Sequence, residues 1–192
     1  MKTIAFSIAM IATVLSACSD NNNSSKDQTK ANDTASSQAQ TSNPTTQQSA
    51  SVDDAVTAYL HLKNALTNDN GKDAAEGGKH LHDALLKLDN ASFAAEQKKV
   101  YDEVKDDIKE HAEHISTNAD KIAHQREHFD MLSKDMYDLV KSVKPSLALY
   151  KDHCPMFNDG KGAIWLSEEK EIKNPYYGKK MLTCGKEQEE LK

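Results

Sequence analysis

The sequence predicts an all-α protein, an up-and-down four-helix bundle that ends in an irregular, cysteine-bearing cap at about residues 145–185. Two observations carry that expectation. Four consecutive segments repeat apolar residues three and four apart, the period of one helix face. The connections between them are short and rich in turn residues, which sets successive helices antiparallel. Period-two alternation, the mark of a half-buried strand, is missing before residue 145.

Ser51 caps the first predicted helix, which runs to about Leu66 with Asp53 and Asp54 in its opening turn. Val52, Val56, Tyr59 or Leu60, Leu62 and Leu66 mark its apolar face, and Asn68-Asp69-Asn70-Gly71 stops it. The second helix spans about Lys72 to Leu88, with Ala75, Leu81, Leu85 and Leu88 on one face and the weakening pair Gly77-Gly78 inside. Ser92 is the expected cap of the third, about Phe93 to Ile115, whose stripe is Val100, Val104, Ile108, Ala112 and Ile115. The fourth, about Ala119 to Val143, carries Ile122, Phe129, Leu132, Met136, Leu139, Val140 and Val143, and Pro145 forbids its continuation.

Beyond Pro145 the composition changes. Pro145, Pro155 and Pro175, together with Gly160, Gly162, Gly178 and Gly185, predict turns and short irregular pieces packed by aromatic anchors. A hairpin-like turn is expected at Asp159-Gly160-Lys161-Gly162, and another turn starting at Asn174-Pro175.

The N-terminal residues organise differently. Met1-Lys2, an uncharged run from Thr3 to Leu15, and Leu15-Ser16-Ala17-Cys18 form the three regions of a signal peptide over residues 1–17. The apolar run falls short of the ~20 residues a membrane-spanning helix needs. The tetrad Leu-Ser-Ala-Cys resembles the lipobox of bacterial lipoproteins, which implies a diacylglycerol on Cys18 and an acylated (palmitate-type) amino terminus. Several acyl chains anchor stably where one holds only marginally, because each buried methylene contributes about 0.8 kcal/mol. Residues 18–51 then read as a lipidated, disordered tether, since Ser19 to Ser51 contain no Val, Ile, Leu, Met or aromatic residue. A coil of that length holds lipid and domain about 30 Å apart on average. The expected location is the cell envelope, on the inner or outer membrane, with the domain of residues 52–192 in the periplasm or at the cell surface.

The chain has 24 basic and 30 acidic side chains and a formal net charge of −6. An acidic balance without a basic stripe argues against nucleic acid as a partner. With Cys18 lipidated, Cys154 and Cys184 remain. In an oxidising compartment such a pair is most simply a disulfide, closing a loop of about 30 residues for ~3–4 kcal/mol in the loop-entropy picture. In a metal-handling protein it is instead a pair of soft ligands, and His153-Cys154-Pro155-Met156 with Met181-Leu182-Thr183-Cys184 supplies two thiols, two thioethers and an imidazole, a set that favours Cu(I).

Histidine offers a secondary candidate. His111 and His114 are three apart and His124 and His128 four apart, so each pair leaves one helix face, and a hairpin turning near Asn118 brings the pairs together. His80 and His82, two apart, point to different faces. A calcium loop ending at Gly71 fails because Leu66 would occupy its first ligand position. No phosphate-binding glycine loop, nucleophile elbow or paired catalytic carboxylate motif is visible, so no enzyme activity is expected.

The stretches His153-Cys154-Pro155-Met156, Gly162-Ala163-Ile164-Trp165-Leu166-Ser167, Ile172 through Gly178 and Met181 through Gly185 resemble a domain of unknown function in exported proteins of Gram-negative bacteria. That domain is also fused to some heavy-metal efflux adaptor subunits. The likeness runs from about Asp53 to Gly185, with Gln125 through Phe129 and Leu132-Ser133 also fitting. It implies a helical bundle with a cysteine-bearing cap and a role in copper handling. The His-Cys-Pro-Met tetrad is also similar to the core of short heavy-metal-binding domains, except that Phe157-Asn158 follows where those domains carry a histidine. By that likeness Cys154 and Met156 lead as ligands, His153 joins them, and Met181 and Cys184 belong to the second segment. The expectation is an envelope lipoprotein that binds Cu(I) through Cys154, Met156, Met181 and Cys184, with His128 or His153, as a buffer or accessory to heavy-metal efflux components. The alternative is a disulfide-stapled structural or protein-interaction lipoprotein without metal.

Overall fold

The computed structural model describes residues 51–192; the expected signal peptide, Cys18 and the tether up to residue 50 lie outside the described residues. Four long helices open the described part: α1 (Val52–Thr67), α2 (Gly71–Lys87), α3 (Ala95–Ser116) and α4 (Ile122–Val143). Ser51 caps α1 as expected, through a reciprocal pair in which Asp54 N donates to Ser51 Oγ (3.3 Å) and Ser51 N donates to Asp54 Oδ2 (2.7 Å).

Two helix starts differ from expectation. Ser92 is spent in a turn, with Phe93 N donating to Asn90 O (3.1 Å), so α3 begins after Ala94, whose N–H is taken by Gln97 Oε1 (2.9 Å). Likewise Asn118 to Lys121 close a turn, Lys121 N donating to Asn118 O (3.0 Å), which delays α4 to Ile122. Successive helices pack in sequence order. The glycines of α2 have a packing reason. A Cβ on Gly77 would lie 2.8 Å from the Leu62 backbone of α1, and one on Gly78 would lie 2.9 Å from Ala112 O of α3, so both neighbours approach α2 through bare backbone.

The all-α expectation needs correction, because residues 149–191 build a three-stranded antiparallel sheet of order β2-β1-β3. Its strands are β1 (Leu149–Cys154), β2 (Ala163–Ser167) and β3 (Lys186–Leu191). Tyr150 pairs Ser167 and Cys154 pairs Ala163 on one side of β1; Leu149 pairs Leu191 and His153 pairs Lys186 on the other, with a bulge between Lys151 and Asp152. The sequence hides these strands for physical reasons. The bulge breaks alternation in β1, β2 is short and buried on almost every residue, and the edge strand Lys-Glu-Gln-Glu-Glu-Leu has almost no apolar signal. β3 also lies beyond the expected end of the cap at 185. The hairpin turn expected at residues 159–162 does join β1 to β2, with Asn158 and Asp159 at φ 53 and 55.

The sheet is part of the core. α1 and α4 meet only lightly, and β2 packs against both. Tyr59 joins the three: its buried hydroxyl lies 2.8 Å from Ser133 Oγ of α4 and accepts Leu166 N–H of β2 (3.0 Å), while its ring stacks on Phe129 at 5.3 Å. Beside it the fully buried Lys63 reaches Glu168 Oε2 (2.9 Å), and Asn64 Nδ2 donates to Glu168 Oε1 (2.8 Å). Burial alone would raise the Glu168 carboxyl, but the hydrogen bonds from Asn64 and Lys63 outweigh it and hold the group below its usual range.

Tyr59→Phe leaves a buried strand N–H without an acceptor, so urea unfolding is expected to show a loss of about 1–3 kcal/mol; an unchanged midpoint would refute this account of the junction. Asp135, between α3 and α4, is pushed from 3.8 up to about 6 by burial and then by Asp107 and Asp138. Between those values the unfolded chain ionises and the folded one does not, so stability falls as pH rises through that window. In Asp135→Asn the melting temperature relative to the parent is therefore expected to rise from about pH 4 to about pH 7. A difference that stays constant over that range contradicts it.

Candidate metal centre

Cys154 ends β1 opposite Ala163, with its side chain fully buried on the core side. Two residues later Met156 is half exposed (50%) at the start of the left-handed turn. Cys184 comes from a different stretch, and Asn174 brings it there. This wholly buried side chain donates from Nδ2 to Cys184 O (2.6 Å) and accepts Tyr176 N–H (2.8 Å) and Tyr177 N–H (3.2 Å), while its own N–H goes to Leu182 O (2.7 Å). One asparagine thus satisfies four backbone groups of a segment that has no ladder of its own.

The aromatic residues and glycines of this segment dock it. Tyr176 OH donates to Ile164 O of β2, and Tyr177 OH donates to Met156 O (3.0 Å). Arg126 of α4 donates to Pro175 O (2.8 Å) and Leu66 O (2.9 Å) and pairs with Asp69 (2.6 Å), whose other oxygen accepts Lys179 N–H (3.1 Å). The Arg126 guanidinium, despite the opposing effect of burial, holds the Asp69 carboxyl below its usual range. At Gly185, φ is 148 and a Cβ would come within 2.7 Å of Trp165, so the residue after Cys184 must be glycine for the chain to lie on the indole.

The outcome is a sulfur cluster. Cys184 Sγ lies 3.7 Å from Met156 Sδ, and both cysteines are free thiols. Burial first and the neighbouring Cys154 thiol second push the Cys184 thiol above its usual value. Met181 touches this group through its backbone alone, its carbonyl accepting Cys184 N–H (3.0 Å). A cleft of about 710 Å³ adjoins the cluster, lined by Met156, Phe157 and Tyr177 together with Glu127, Asp130 and Met131 of α4. Met131, a partly exposed thioether (39%), was not expected here, and Asn174 was expected only to start a turn. The signal for Met131 was its place three residues after His128 on the same helix face.

His153 and His128 stand apart from the sulfurs. His153 follows the strand alternation and leaves the face of β1 opposite to Cys154, against Gly162, with its Nδ1 buried and without a partner. His128 lies instead with the other helix histidines. Its Nδ1 is 3.2 Å from His111 Nδ1, and its ring is 4.3 Å from that of His114 and 4.6 Å from that of His124. Burial, then the imidazoles of His114, His124 and His111, push His128 down to about 4. A second histidine group joins residues that the sequence did not pair: His61 Nε2 sits 2.9 Å from Asp73 Oδ1, with the His80 ring at 6.0 Å.

Fold and site together define a mostly helical domain with a small C-terminal sheet, at one strand end of which thiol and thioether side chains meet. The family model described as "protein of unknown function (DUF3347)" matches residues 55–147, from the first turn of α1 to just past α4. The motifs that carry Cys154, Met156, Met181 and Cys184 lie beyond the matched residues. No match is found among curated proteins or among solved structures.

Asn174→Ala strips one carbonyl and two N–H groups of their buried partner. It is expected to lower stability by about 1–3 kcal/mol and to speed alkylation of Cys184 by a maleimide. An unchanged unfolding midpoint with unchanged labelling would show that Asn174 does not hold this thiol in place.

Proposed function

We propose that this chain is a lipid-anchored protein of the bacterial envelope that binds a soft metal ion, Cu(I), and buffers it or passes it to a heavy-metal efflux system. The observation that carries the reading is the convergence of Cys154, Cys184 and Met156 from two separate stretches of chain, with 3.7 Å between Cys184 Sγ and Met156 Sδ. Thiolate and thioether donors select Cu(I) over harder cations. Met181, at the mouth of the turn that precedes Cys184, is the fourth donor. The sulfur cluster is graded in exposure, from the buried Cys154 through the half-buried Cys184 to the exposed Met156. Such a gradient suits an ion that must be handed on at the surface and kept from water inside.

Anchoring supports the same reading. A diacylglycerol on Cys18 would confine the domain to the membrane surface, where a tether keeps the local concentration near a membrane-bound partner high. The reading assigns no catalytic residue and no nucleic-acid contact.

The purified full chain, reduced under anaerobic conditions, is expected to take a single equivalent of Cu(I) in competition with bicinchoninate and to lose it in Cys154→Ser. Failure to compete, with a Cys154–Cys184 disulfide recovered on exposure to air, would overturn the metal reading in favour of a disulfide-stapled interaction domain.

A further inference from the structure

The turn between α3 and α4 is held from several sides. Gln125, fully buried, donates from Nε2 to Gly71 O (2.8 Å) at the start of α2 and to Ile115 O (3.1 Å) near the end of α3. Asn118 Nδ2 donates to His114 O (2.9 Å), and a Cβ on Gly71 would lie 2.6 Å from Ala119 O. The backbone that carries the histidines is therefore set by contacts that do not involve the imidazoles. On that scaffold the spacing of three on α3 and of four on α4 points both pairs to one side.

We propose that His114, His124 and His128, with His111 beside them, form a binding site for a borderline divalent cation of the Zn(II), Ni(II) or Cu(II) class, separate from the sulfur cluster. One nitrogen from each of His114, His124 and His128 can be chosen so that all three lie within 4.8 Å of one another, a spread that a single ion can span. His111 stands beside this trio, its Nδ1 3.2 Å from His128 Nδ1. The His124 and His128 rings stand at 83°, so their nitrogens address one point from different planes. The His114 ring lies parallel to that of His128 (7°), and ligation requires this exposed side chain to turn until its nitrogen faces the ion.

Carboxylates stand where outer partners of ligating histidines belong. Glu127 Oε2 is 3.3 Å from His124 Nδ1, which holds that nitrogen and leaves Nε2 for an ion, while Glu110 Oε1, 4.0 Å from His114 Nε2, adds negative charge beside the site without a hydrogen bond. The donor set is all imidazole, with no sulfur among these four residues. That set suits borderline divalent cations, whereas the cluster at Cys154 suits a soft monovalent one. Met131, one turn beyond His128, lines the cleft beside Met156. The two donor sets thus flank neighbouring turns of α4.

The test titrates Zn(II) into the full chain carrying Cys184→Ser, which disables the sulfur cluster through a half-buried residue and leaves the buried Cys154 in place. A single tight equivalent is expected. It should weaken in His124→Ala/His128→Ala by more than the roughly 10- to 100-fold that follows loss of an outer-shell partner. Co(II) bound in its place should show d–d bands without thiolate charge transfer. His61→Ala, in the separate histidine group, should leave affinity unchanged. If the double variant loses its helical circular dichroism, His124→Ala alone decides, with a drop of about tenfold or more expected. Absence of Zn(II) binding in the parent, equal affinity in the histidine variants, an equal loss in His61→Ala, or a thiolate band would each overturn the site.

Discussion

The hydroxyl of Tyr59 is the point on which this architecture turns. Four helices that pack mainly in sequence order leave one side of a bundle open, and here α1 and α4 meet only lightly. β2 fills the gap. Its backbone brings an N–H into a place without water, and the tyrosine supplies the acceptor while keeping Ser133 of α4 in contact. A phenylalanine would bury the same ring but leave that N–H unpaired, so the choice of tyrosine is set by the strand and not by the helix that carries it. Burial drives the Tyr59 phenol far above its usual value, so it remains a neutral hydroxyl that both donates and accepts.

The donor cluster follows from this junction. Once β2 is fixed between α1 and α4, β1 pairs beside it and Cys154 falls on the core side of the hairpin. The returning segment then needs only local anchors. Asn174 caps its turn, Tyr176 reaches β2, Tyr177 reaches the backbone of Met156, and Gly185 lets the chain pass over Trp165. The residues that carry the family resemblance are thus mostly positioning groups. The sulfur atoms of Cys184 and Met156 meet each other, and on the proposed reading that leaves them available to an ion.

Much of the helical part was readable because each stripe repeats at a helix period over several turns, and because Ser51 with Asp54 and Lys144 before Pro145 mark boundaries chemically. Bringing the histidine pairs together required only helical spacing and a turn near Asn118. The sheet was not readable. A bulge at Lys151 and Asp152, a two-sided buried strand and a charged edge strand each erase the alternation on which strand prediction rests. The exchange of Ser92 for Ala94 at the cap of α3 was equally hidden, since Gln97 supplies the bond from inside the helix. That Met131 and Met156 line one cleft depends on where the turn after β1 lies beside α4, a long-range fact with no local trace.

The separation of the donors along the chain has an energetic consequence. Cys154 and Met156 belong to the hairpin, and Cys184 to a segment held by one asparagine and two tyrosine hydroxyls. On the proposed reading an ion shared by these sulfurs cross-links the two stretches, so its binding free energy adds to the stability of the cap over that of the helices. The thiols must release protons to bind, and burial with the adjacent Cys154 raises the Cys184 thiol in the metal-free state. Part of the intrinsic affinity is therefore consumed in deprotonation, and the net affinity increases with pH. On the proposed reading a site so arranged would hold its ion less tightly than two preformed thiolates, which favours release over permanent storage.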